Sequence, residues 1–210
     1  MKNVYYLMLV ILTVHRLEAQ NLNDKKPNFI IIVTDDQDAK TLDVYGDQSC
    51  DTPEIDKLSK KGMTFHSAYH MGSYRAAVCT PSRIMLMTGR FLWETTGFNV
   101  NYPPLNYVHK AAENYAKISP ADPAYFSLPA IFKRNGYYTF RTSKRGNSYE
   151  GANLLFEERY DKKNREADPE NGSKWHADKV IKYLEKRKTK QETQPFLIYL
   201  GFSHPHDPRH

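Results

Sequence analysis

Several side chains able to hold a cation or grip an anion stand where a strand or helix should begin or end. Asp35 and Asp36 follow an apolar run, Cys79 and Arg83 lie one helical turn apart, and Lys144 and His206 each close another hydrophobic stretch. Two adjacent carboxylates repel each other. Burying both calls for a cation, and hard oxygen donors suit Ca2+ or Mg2+. A solvated loop or a helix N-cap is the plainer use for such a pair. Cys79 lies just before an expected helix, where the N-terminus lowers thiol pKa values and attracts anions. Arg83, one turn on, can form paired hydrogen bonds with an oxyanion. The plainer reading is a buried cysteine, or, in an exported protein, a disulfide with Cys50. Taken singly, Lys144 reads as a surface lysine and His206 as a turn or packing residue. The same holds for His204 and His210, whose spacing fits no standard structural zinc site.

The elements that must position these residues alternate strand and helix. Residues 28–33 (NFIIIV) read as a strand buried on both faces. A helix follows from Pro53 to a stop at Gly62, capped by Thr52. Residues 63–69 read as a strand and 82–88 as a helix ended by Gly89. A helix over 125–135, stopped by Gly136, leads into a strand over 137–142. Ser173 caps an amphipathic helix to about Lys188, with Ala177, Val180, Ile181 and Leu184 on one stripe. Residues 195–202 (PFLIYLGF) form another buried strand, and 98–123 a long loop or insertion. This order predicts an α/β fold with a mostly parallel sheet flanked by helices. Ligands of open α/β sheets bind beyond the carboxyl ends of the strands. The polar clusters after three strands should therefore converge on one site, which points to an enzyme.

Composition narrows the classes. The chain has 210 residues, 40% hydrophobic and 26% charged, enough for one core. Two cysteines exclude a disulfide-stapled mini-protein. The net charge of +6 is concentrated around residues 182–190, a basic helix end read as solvated, so nucleic acid is not an expected partner. Lys2, the apolar run 4–14 and the polar stretch ending at Ala19 read as a secretory signal over residues 1–19, too short for a membrane span. A periplasmic or secreted protein is expected.

Cys79-Thr80-Pro81-Ser82-Arg83, with Thr88-Gly89-Arg90 downstream, resembles the signature of the sulfatase family, within the alkaline-phosphatase-like superfamily. Residues 28–37 (NFIIIVTDDQ) resemble its first strand and metal-binding aspartates, 52–62 its first helix, and 137–144 the strand leading to a catalytic lysine. Residues 202–208 (FSHPHDP) resemble its strand-end histidine motif. The likeness runs from Lys26 to His210. It implies that Asp35 and Asp36, with Cys79, hold the divalent cation, usually calcium, and that Cys79 becomes formylglycine through a formylglycine-generating or maturase enzyme. It also implies that Arg83 orients the hydrated aldehyde, Lys144 binds sulfate and His206 acts at the leaving oxygen. The chain departs from the family where Ser143-Lys144-Arg145-Gly146 replaces the usual Gly-Lys-Trp-His.

By this resemblance one hydroxyl of the aldehyde hydrate attacks sulfur, and the other expels sulfate and restores the aldehyde. The expected substrate is a sulfated small molecule or glycan. Residues 20–210 would be the N-terminal portion of a sulfatase catalytic domain, incomplete at the C-terminus and inactive alone. The alternatives are a phosphomonoester or phosphonate hydrolase of the same superfamily, or a non-catalytic secreted fragment.

Overall fold

The computed structural model describes residues 26–46, 50–73, 77–94, 123–144, 146–162 and 172–206. The signal segment, most of the 98–123 stretch and the tail from Asp207 lie outside them.

Four strands, β1 (Phe29–Asp35), β2 (Tyr138–Lys144), β3 (Glu158–Lys162) and β4 (Phe196–Pro205), form one parallel sheet in the order β1-β4-β2-β3. Among the described residues the α-helices are α1 (Pro53–Ser59), α2 (Cys79–Thr88), α3 (Leu128–Arg134), α4 (Glu150–Asn153) and α5 (Ser173–Lys190). The mostly parallel α/β sheet expected from the strand–helix alternation is thus present.

Strand alternation builds two cores, one on each face. Leu197 and Tyr199 of β4 pack with Ile84 and Met87 of α2 and with Tyr149, Ala152 and Phe156. Phe196, Ile198 and Leu200 point the other way, onto Val180 and Tyr183 of α5 and onto Phe140 of β2. A strand carrying apolar side chains on both faces must be covered twice, and β4 is.

β1 differs from its expected burial. Ile31 and Val33 join the α2 core, but Ile30 and Ile32 are 49% and 56% exposed. Among the described residues β1 is the edge strand beside β4, and α5 packs chiefly against β4 and β2. Residues 63–69 form no strand. Met63, Phe65 and Tyr69 are exposed, and among the described residues no strand pairs with them.

α5 also turns a different face inward. Its buried residues are His176, Val180, Tyr183 and Arg187, whereas Ile181 is exposed and Leu184 half-buried. Polar residues at 176 and 187 hid this stripe from a reading by hydrophobicity. Arg187 is not solvated as the basic helix end suggested. It is hydrogen-bonded to Tyr183 Oη at 3.2 Å, to Glu192 and to the Gln194 carbonyl. Gly172 is the cap of this helix and Ser173 its first residue. The helix expected over 125–135 is split, with a 3-10 turn at Pro123–Phe126 before α3. β3 and α4 were not anticipated.

Candidate active site

The carboxyl ends of β1, β2 and β4 carry the site, as the strand-end clusters predicted. Asp35 closes β1 facing α2 and is 3% exposed. Its Oδ1 accepts from Arg83 Nη2 at 3.0 Å and from Cys79 Sγ at 3.4 Å, and its Oδ2 accepts from Lys144 Nζ. Arg83 and Lys144 are themselves buried. Removing a carboxylate from water is costly, and the two cations offset that cost.

Cys79 is the first residue of α2 rather than the residue before it, and Pro81 fills the first turn, where its missing N–H loses nothing. One turn on, Arg83 is thereby carried onto the same carboxylate. No disulfide forms, since Cys50 and Cys79 are both free thiols. The thiol pKa is raised, not lowered as the helix start suggested. Burial is the largest cause, and Asp35 adds to it, while Lys144 and Arg83 pull the other way. Cys79 at neutral pH is therefore a protonated thiol.

Donor atoms of Asp35, Cys79 and His206 lie within 4.8 Å of one another. His204 is engaged elsewhere, with its Nδ1 2.8 Å from Ser173 Oγ. Asp36 is exposed, holds a left-handed φ of 62°, and lines a cavity of about 160 Å³ with Asp35, Cys79, Ser82 and Arg83. The close donor group is Asp35, Cys79 and His206, without Asp36, while the Asp35 and Asp36 carboxylates border one cavity and are hard oxygen donors of the kind that suit a divalent cation. Arg83 Nη1 is buried with no hydrogen-bond partner among the described residues, a donor suited to an anionic oxygen.

Behind Lys144 lies a buried polar layer that sequence reasoning did not single out. Thr142 Oγ1 is 2.6 Å from Nδ1 of the fully buried His176. Burial, together with the charge of Arg141, lowers the His176 pKa to about 4, so the ring is neutral. Arg141 and Arg159 share Asp161, and Arg159 reaches Glu150 at 2.6 Å. No motif marks these residues, because they come from β2, β3, α4 and α5 and meet only in space. A larger hollow of about 980 Å³ opens at the other end of the sheet, by Asn28, Gly136, Arg187 and Pro195. It contains none of the site residues.

The fold is a three-layer α/β sheet in which the start of α2, with Cys79, lies beside the carboxylate that closes β1. The solved structures that resemble it share this fold. Ps i-CgsB matches with a TM-score of 0.63 at 22% identity, over 87% of this chain and 46% of that one. A Vibrio parahaemolyticus protein of the alkaline phosphatase superfamily matches with a TM-score of 0.59 at 18% identity, over 89% and 42%. The family model described as Sulfatase matches residues 27–210, and the chain belongs to the sulfatase family. Among curated relatives, a "Sulfatase" of Formosa agariphila is 27% identical over 99% of this chain and 45% of its own length. An N-acetylgalactosamine-6-O-sulfatase of Bacteroides thetaiotaomicron is 42% identical over 36% of this chain and 14% of its own. The chain thus spans less than half the length of these relatives.

Among the described residues no helix is long and apolar enough to cross a membrane.

Proposed function

We propose that the protein hydrolyses a sulfate ester of a carbohydrate, with Cys79 converted to formylglycine by a maturation enzyme and with Ca2+ or Mg2+ held by Asp35, Asp36 and residue 79. The observation that carries this reading is the convergence of Asp35, Cys79, Arg83, Lys144 and His206 at one end of the sheet. Relatives named for N-acetylgalactosamine-6-O-sulfatase and N-acetylglucosamine-6-O-sulfatase activity support the carbohydrate part. A raised thiol pKa argues against use of Cys79 as a thiolate.

The cation supplies charge that polarises sulfate oxygens, and the aldehyde hydrate supplies the nucleophilic hydroxyl. Arg83 binds and orients through its remaining Nη1 donor. Lys144 adds a second positive charge on the same oxygens. His206 holds a proton at its ring nitrogen for the departing alcohol. Residues 1–19 are the export signal in this proposal, which places the mature protein in the periplasm or outside the cell. Residues 20–210 form the N-terminal portion of the catalytic domain.

The test is co-expression with a formylglycine-generating enzyme, followed by peptide mass spectrometry of residue 79 and turnover assays of the whole protein of which residues 20–210 form the N-terminal portion. Turnover of an aryl sulfate well above that of the matching aryl phosphate, lost in Cys79→Ala, is expected. Preference for the phosphate would turn the assignment to the phosphomonoester reading.

A further inference from the structure

A second cationic cluster lies one strand beyond Lys144. In the β2–β3 register Lys144 stands directly opposite Lys162. Lys162 Nζ sits 5.3 Å from the centre of the Trp175 ring. Lys179 Nζ is 4.9 Å from the same ring and 4.7 Å from that of Tyr160. The two rings meet edge-on at 6.3 Å. Two like charges are thus held on one pair of aromatic faces, each side chain half-buried.

The neighbouring acids are spent elsewhere. Glu158 accepts from the hydroxyls of Tyr138 and Tyr160. Asp161 is taken by Arg141 and Arg159, and Asp178 by Lys174 at 2.6 Å. Among the described residues neither Lys162 nor Lys179 is in an ion pair. Lysine stems covering a tryptophan edge are common on protein surfaces. Here, however, two ammonium groups lie 5.3 and 4.9 Å from the centre of one ring with no ion-pair partner among the described residues, on the end of the sheet where the site opens. Ring contact restrains both lysines, so an incoming anion finds them already ordered.

We propose that Lys162, Lys179, Trp175 and Tyr160 form a second anion subsite, which receives a sulfate or carboxylate group of an acidic polysaccharide on a sugar removed from the one being cleaved. This rests on the sulfatase reading above. Three strand spacings separate β1, with Asp35, from β3, with Lys162, roughly 14 Å in all. A span of that size suits an oligosaccharide rather than a single sugar.

The whole protein of which residues 20–210 form the N-terminal portion is titrated with dextran sulfate, with unsulfated dextran as control, and its aryl-sulfate turnover is measured in parallel. The Lys162→Gln/Lys179→Gln double variant should bind dextran sulfate about tenfold more weakly, with a shallower salt dependence. Its kcat/KM on the aryl sulfate should stay within about twofold of the parent. Trp175→Ala should weaken dextran sulfate binding in the same direction. Unchanged dextran sulfate affinity in the double variant would overturn the subsite. So would a single-stranded DNA oligomer that binds as tightly and is lost to the same extent, since the surface would then not be built for a glycan. Binding needs no turnover, so absence of aryl-sulfate hydrolysis in the parent would count against the catalytic reading alone.

Discussion

Asp35 is the residue on which the site turns. One carboxylate accepts from Arg83, Lys144 and Cys79, so α2 and β2 are both tied to a single side chain of β1. The Cys79 thiol next to it illustrates competing effects. Helix start, Arg83 and Lys144 all favour a thiolate, yet burial and the Asp35 charge prevail and raise the pKa. Alkylation proceeds through the thiolate, so unconverted Cys79 should react slowly at pH 8, while the exposed Cys50 reacts readily. Mass spectrometry of a chain treated with iodoacetamide for increasing times checks this. Faster labelling of Cys79 than of Cys50 would contradict the raised pKa.

At the scale of elements, the join of β2 to β4 depends on a glycine. Gly201 lies opposite Ser143 in the register. A Cβ at 201 would collide with Ser143 Oγ and lie 2.9 Å from Ser143 Cβ and 3.2 Å from the Tyr199 ring. Both strands are central, so neither has room to shift. Gly201→Ala should destabilise the protein by about 1–3 kcal/mol, the usual cost of overpacking. Adding Ser143→Gly should recover part of that loss, as read from denaturant midpoints. An unchanged midpoint in the single variant would show that the strands can separate freely. α5 teaches a related lesson. Its inward stripe includes His176, whose Nδ1 meets Thr142 while its Nε2 is buried with no partner among the described residues, and Arg187, which donates to Tyr183 and the Gln194 carbonyl.

Across the whole molecule, the buried His176 couples folding to pH. Its pKa is about 4 when folded, against an ordinary 6.5. Between these values the unfolded chain binds the extra proton, so stability rises with pH. This contribution is fully present above pH 6.5 and is lost as pH falls towards 4. It amounts to no more than about 3 kcal/mol. Urea unfolding at pH 7 and pH 4.5 should show the wild-type protein losing more stability than His176→Gln. Equal losses would mean that other groups carry the pH dependence.

The sulfatase signature, the strand-end aspartates, the lysine and the histidine motif were legible in the sequence because each is a contiguous run whose residue types serve one chemistry. The parallel α/β sheet was legible too, because β4 keeps apolar side chains on both faces and can only be a covered central strand. What only the tertiary structure decided depends on strand order and side-chain meeting. It set β1 at the edge of the described strands with Ile30 and Ile32 exposed, tied Lys144 to Asp35, and inserted β3 beside β2. β3, with its charged ERYDK run, carries no hydrophobic signal of a strand. It pairs because Asp161 and Glu158 find partners on β2, in Arg141 and Tyr138. Such pairings join residues distant along the chain, and no local pattern of hydrophobicity or spacing encodes them.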